Sequence, residues 1–182
     1  TSAYYTAYQN YVKDSTGTVP QPAQPTIDEL TASYSTLDQY KMISDNIILN
    51  SATFKPLFGT KASPELRATI KCVKNPSSTV SVSEIKSQVV NAMNQYFTIE
   101  NWDFGDTFFF SELSAYLHDK LGTIISTVVL VPTDPLKSFG DLYEIRSQAN
   151  EIFVNAATVN DVEVIDALTS SQLRTASNSG VV

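Results

Sequence analysis

His118 and Ser114 are the pair in this chain whose types and spacing could do chemistry. Four residues apart, they share one face if the segment is helical. A serine beside an imidazole is the beginning of a nucleophile and its base. That chemistry also needs a group to orient the imidazole and donors for an oxyanion. Asp119 follows His118 directly and would face away on a helix. A helix face is also a poor mount for a nucleophile. The expectation is a partly exposed helix histidine and a protein that is not an enzyme.

The other reactive types fare no better. Asp103 and Asp106 flank Gly105, and a hard cation accepts carboxylates in a tight loop. The many further ligands of a calcium loop are absent, so turn formation is expected. Asp161, Glu163 and Asp166 read as a solvated or charge-paired strand face. Cys72 is the chain's single cysteine, which excludes an internal disulfide and a Cys-based metal site. It is expected to be a small buried hydrophobe. The glycines form no phosphate-cradling motif. No catalytic residue, cofactor or metal is therefore expected.

Aromatic side chains are the richer signal. Trp102, Phe104, Phe108, Phe109 and Phe110 lie close together. Three consecutive phenylalanines cannot all face one core from one regular element. Trp102, Phe104, Phe108 and Phe109 are the candidate interface set, with core packing as the competing role for each.

The elements that must position these residues follow from period and caps. Tyr4, Tyr8, Tyr11 and Val12 have helical spacing, and Pro20, Pro22 and Pro25 mark an extended linker. Thr26 and Glu29 form a capping box for a helix with Ile27, Leu30, Tyr34, Leu37, Lys41 and Met42 on one face. Ile47–Leu49 reads as a strand extending toward Phe54. Leu66, Ala68, Ile70 and Cys72 alternate with Arg67, Thr69 and Lys71, as a half-buried strand requires. Asn75-Pro76-Ser77-Ser78 is a turn. Ser81 then caps a helix, with Glu84 at the box position and Val82, Ile85, Val89, Ala92 or Met93, and Tyr96 as its stripe. Asn101–Asp106 is a loop. Ser111 is expected to cap a second helix with Leu113, Tyr116, Leu117 and Leu121 inward and Gly122 at its end. Thr123–Val131 is β-branched and reads as a buried strand closed by Pro132 and Pro135. Leu142–Ile145, Glu151–Val154 and Asp161–Ile165 are short strands.

Composition bounds the partners. The 182 residues fit one domain with appended ends, and a 42% hydrophobic fraction can fill a core. Lys and Arg number 12 against 19 Asp and Glu, a formal charge of -7. That balance argues against nucleic acid and anionic membrane surfaces, which both need a positive field. No apolar run approaches the roughly 18 residues of a membrane-crossing helix. Thr1 stands where an initiator Met would, and no signal-peptide pattern follows, so a fragment or processed product is expected. Asn75-Pro76-Ser77 is not a glycosylation acceptor, because proline occupies its middle position.

The run from Val82 to Phe97, then Phe104-Gly105-Asp106, Phe110-Ser111-Glu112-Leu113 and Leu121-Gly122-Thr123, resembles the baseplate-J-like family of phage tails. The strand before it, Leu66–Val73, fits that order. Phe139–Ile145 and Asn150–Val154 resemble the C-terminal part of the baseplate wedge subunit of T-even contractile-tailed phages. The likeness covers residues 27 to 168. It implies a virion structural protein assembled in the host cytoplasm, a wedge subunit in the ring around the tail hub. Its implied partners are itself, as homodimer or ring contacts, and other baseplate wedge proteins. It implies no catalytic residues.

The expected architecture is α+β, with helices packed on a small mixed β-sheet. Residues 1–25 form a mobile N-terminal arm and Pro-rich linker, 26–168 the domain, and 169–182 a flexible tail. The alternative function is a host-surface or carbohydrate-binding module, since exposed Tyr and Trp can stack on sugars.

Overall fold

The computed structural model describes residues 2–14, 16–35, 52–133 and 144–165. Those residues form an α+β fold. Its elements are α1 Ser2–Lys13, α2 Ile27–Ser35, β1 Thr53–Leu57, β2 Ala68–Lys74, α3 Val82–Tyr96, β3 Thr107–Phe109, α4 Phe110–Leu121, β4 Ile125–Pro132, β5 Glu144–Arg146, β6 Glu151–Asn155 and β7 Val162–Ile165. The expected strand at Ile47–Leu49, the expected strand residues Leu142 and Tyr143, and the expected tail 169–182 lie outside the described residues.

The β-structure is divided among three sheets. β2 lies between β4, antiparallel to it, and β7, parallel to it. β1 and β6 form a parallel pair, and β3 and β5 an antiparallel one. A single bridge, Phe58 to Arg67, links the end of β1 to the start of β2. The expected single mixed sheet is thus a mixed three-stranded sheet with two two-stranded companions.

Strand alternation explains β2. Ala68, Ile70 and Cys72 are buried, while Lys71 faces outward and pairs with Glu163 at 3.1 Å. β4 departs from strict alternation because its register with β2 shifts between Val73 and Lys74, where Thr127 and Ile125 are the partners. Ser126 is the extra residue of that bulge. Ile125 and Val128 consequently both reach the core from positions three apart. Thr127 and Val129 remain exposed, so β4 is buried on one face, not on both as its composition suggested.

α3 is the helix its sequence foretells. Ser81 Oγ accepts a hydrogen bond from the Glu84 backbone N–H at 3.2 Å, and Ile85, Val89, Ala92 and Met93 are buried. It packs on α4 and over β6 and β7. α4 starts two residues earlier than expected. Phe109 occupies the N-cap position without a side-chain cap, and Ser111 lies inside the first turn. β3 runs straight into α4, so no loop residue is left to cap it. Gly122 ends α4 with a right-handed backbone, φ -59°. It supplies space there, because a Cβ would lie 2.6 Å from the His118 carbonyl oxygen.

α1 corrects the expectation of a mobile arm. Tyr8 and Val12 are buried in the same core cluster as α3, α4 and β2. The tyrosine stripe lands on Phe54 of β1. Tyr4 stacks on that ring at 5.1 Å and Tyr8 meets it at 4.8 Å. α2 has its predicted capping box, with the Thr26 N–H bonded to Glu29 Oε2 at 2.8 Å and the Glu29 N–H to Thr26 Oγ1 at 3.2 Å. Yet α2 buries no residue, and Ile27 is 69% exposed.

Candidate interaction surface

Residues 102–110 divide their aromatic side chains between two environments. Trp102 is buried, and its Nε1–H donates to the Tyr96 carbonyl at 2.9 Å. Its indole stacks on Phe97, with centroids 5.4 Å apart and planes at 13°, and meets Phe153 edge-on at 5.1 Å. Phe108 is buried beside it, 5.5 Å from Phe97, 5.7 Å from Phe58 and 6.3 Å from Phe153. These rings come from β3, the segment before it, the residues just past α3 and β1, and the middle of β6, so the aromatic centre ties those elements together.

Phe104 and Phe109 point the other way, 53% and 38% exposed. Strand parity decides Phe109: Phe108 faces in, so its β3 neighbours face out. Turn geometry decides Phe104. The Asp103 N–H donates to Asp106 Oδ2 at 2.8 Å, and Gly105 takes φ +84°, a backbone that favours glycine. Ser147 clamps the turn from outside, its N–H and hydroxyl donating to the Asp106 carbonyl at 3.0 and 2.8 Å. Phe104 is therefore held on an anchored turn. Of the expected interface set, Trp102 and Phe108 are structural, because neither reaches a partner without opening the core. Phe104 and Phe109 are exposed, with Phe110 half-buried beside them.

Ser114 and His118 line an open groove between α4 and β4, with Phe110, Ser111, Ala115, Ser126, Thr127 and Val128. The lining is mostly apolar, and no carboxylate is part of it. The Ser114 hydroxyl sits 3.5 Å from the Val128 carbonyl, bracing α4 on β4. Among the described residues lining the groove, none is an acid that could orient the imidazole.

The remaining candidates have structural work. Asp106 closes the Phe104 turn. Asp161 completes a capping box with Thr158, its Oδ2 accepting from the Thr158 N–H at 2.8 Å and hydroxyl at 2.9 Å. Glu163 pairs with Lys71, and Asp166 lies outside the described residues. Among the described residues no three His, Cys, Asp or Glu side chains gather as metal ligands. Cys72 is fully buried, and burial pushes its thiol up to about 12. At neutral pH it is a protonated thiol packed in the core.

Two features escaped the sequence reading. One is the α4–β4 groove, which exists because two elements adjacent in the chain pack with a gap. The other is the seat of α1. The Tyr5 hydroxyl donates to the Phe97 carbonyl at 3.3 Å, and the Lys61 ammonium lies 4.3 Å from the centre of the Tyr11 ring. The tyrosine spacing signalled the helix, but nothing local identified its receptor.

No known protein family matches this chain, and no curated protein sequence matches it at a significant level. No helix among the described residues is long and apolar enough to cross a membrane.

Proposed function

We propose that this chain is an assembly protein, one that works by holding copies of itself and other proteins together. The observation that carries the reading is the outward pair Phe104 and Phe109, displayed by elements whose inward partners are locked in the core. Exposed aromatics on a rigid support lose little conformational entropy on binding and serve as interface anchors.

The setting we propose is the baseplate wedge of a contractile phage tail, in the ring around the hub. Support for it comes from the resemblance in residues 82–123 and 139–154. The order β2, α3, glycine turn, β3, α4, β4 has the helices and flanking strands of that resemblance, with β3 as an added strand.

The test is Phe109→Asp in the full chain, followed by analytical ultracentrifugation. The expected result is a native melting temperature with self-association weakened at least tenfold. A folded variant that associates as the parent does overturns the assignment of this surface. The baseplate setting is tested by antibody labelling of purified contractile-tailed particles; label confined to the baseplate supports it, and unlabelled particles reject it.

A further inference from the structure

We infer that the outer edge of β4 takes an extended, uncharged peptide segment of a partner protein as an added strand, seated in the groove beside α4. This contact lies apart from Phe104 and Phe109 and does not depend on them.

Hydrogen-bond register settles which way the β4 backbone faces. β4 is an edge strand, with β2 on its inner side and no described strand on the other. One residue beyond the Ala68–Pro132 pair, the Thr133 N–H donates to the Arg67 carbonyl at 3.0 Å. Bonded and non-bonded pairs alternate along an antiparallel ladder. Val131, Val129 and Thr127 therefore bond to β2, and the N–H and C=O groups of Val128 and Leu130 point outward. Pro132 fits this phase, since the N–H it lacks would have faced away from β2. Ser114 agrees with it: its hydroxyl reaches the Val128 carbonyl from α4 at 3.5 Å. That long contact leaves the carbonyl a second lone pair. Among the described residues, the outward groups of Val128 and Leu130 have no backbone partner.

This edge lacks the usual protection. Exposed strand edges are normally guarded by charge, by proline or by a bulge. Ile125–Pro132 carries no charged residue. Its bulge at Ser126 and its proline stand at the two ends, so the groups between them are unguarded. The opposite edge of the same sheet, β7, carries Glu163 instead.

The groove narrows the choice of occupant. Its volume is about 670 Å3, within the roughly 300–1,000 Å3 of ligand sites. Its α4 wall is one helix flank, Phe110, Ser111, Ser114, Ala115 and His118. Ser111, Ser114 and Ala115 are small, which leaves room for a second backbone beside β4. None of the described lining residues is Asp, Glu, Lys or Arg, so a charged segment would lose water without gaining a partner. The α4 wall also favours a lone strand over the edge of a second copy, which brings its own α4 alongside. Main-chain bonds to Val128 and Leu130 then hold the segment, and its alternate side chains pack on Phe110 and Ala115.

The experiment uses the full chain and a panel of acetylated heptapeptide amides in which Thr alternates with Val, Ile, Phe or Tyr. Amide hydrogen exchange by NMR reads the edge. In the free chain the Val128 and Leu130 amides should exchange at least tenfold faster than those of Thr127, Val129 and Val131. At least one peptide should bind saturably and slow both outward amides at least tenfold. N-methylating every second residue of that peptide, in its two possible phases, should weaken binding at least tenfold in one phase. Ala115→Trp fills the groove from an exposed helix position and should abolish binding while the thermal transition persists. Ser111→Trp tests the same wall if the first variant misfolds.

Slow exchange at Val128 and Leu130 in the free chain overturns the inference. Protection that grows with concentration would give the edge to a second copy, and protection that does not would mean that the chain covers its own edge. No saturable binding by any peptide also overturns it. So does binding indifferent to N-methylation in both phases, or binding that a folded groove-filled variant retains. These results leave Phe104 and Phe109 untouched, because Phe109→Asp tests that surface separately.

Discussion

Trp102 and Phe108 differ from Phe104 and Phe109 in fate but scarcely in chemistry. All four come from one short segment, and two are buried while two face solvent. Hydrophobicity does not separate them. What separates them is whether another ring stands opposite: Phe97, Phe58 and Phe153 meet the first pair, while the second pair extends outward from a strand face and a clamped turn. A hydrophobic residue is a core residue when the fold supplies its partners. The same segment therefore packs into the core on one side and presents aromatic rings to solvent on the other.

The sharpest way to break this comparison is to truncate one ring from each side. Phe108→Ala should cost about 3–5 kcal/mol, the range for emptying a buried aromatic site, read as a lowered urea midpoint. Phe104→Ala should leave stability within about 0.5 kcal/mol. Equal losses from both would mean that the two sides are not distinct.

A somewhat smaller effect is expected where the closed side rests on backbone. Gly59 follows β1 and lies against the turn after β6, where a Cβ would come within 1.7 Å of the Ala156 carbonyl oxygen. Gly59→Ala must push those chains apart and should cost about 3 kcal/mol, at the upper end of overpacking penalties. An unchanged melting temperature would show that the β1–β6 pair can shift freely.

Alkaline titration sharpens the comparison further, because buried thiol and phenol groups mark the closed side. Burial pushes Cys72 up to about 12, and burial with Tyr4 and Tyr11 nearby pushes Tyr8 up to about 12. The unfolded chain releases the Cys72 proton near its ordinary value of about 9. The folded chain then holds more protons than the unfolded one. The stability is fully present below about pH 9 and falls as pH rises toward 12, by about 1.4 kcal/mol per pH unit for one such group. Cys72→Ala should flatten the onset of the fall, between about pH 8.5 and 9.5, where the thiol of the unfolded chain titrates ahead of its tyrosines. Denaturant midpoints measured at each pH check this, and an unaltered slope would place the thiol in contact with water.

The smallest effect belongs to the α4–β4 groove. Ser114→Ala removes one long hydrogen bond to Val128 and should change stability by about 1 kcal/mol or less. A larger loss, followed by urea unfolding, would mean that the groove is part of the closed side after all.

Much of the secondary structure was legible because its signals are local. Ser81 with Glu84, Thr26 with Glu29, the stripe Ile85–Val89–Ala92–Met93 and the alternation of Ala68, Ile70 and Cys72 each depend on residues within a few positions. Backbone hydrogen bonds and side-chain period act over that range, so the chain states them directly. The site was legible as a segment but not as a surface. Choosing Phe104 and Phe109 over Trp102 and Phe108 required Phe153 and Phe58, which arrive from elsewhere in the chain.

By itself, then, the amino-acid order determined the α+β class, the helix α3 with its cap and the inward face of β2. Tertiary structure decided the division into three sheets, the bulge at Ser126 that re-aims β4, the docking of α1 on Phe54 and the exposure of α2. The reason is range. A cap or a period is satisfied by neighbours along the chain, whereas burial is satisfied by atoms that folding brings from far away, and a sequence pattern carries the need for such partners without naming them.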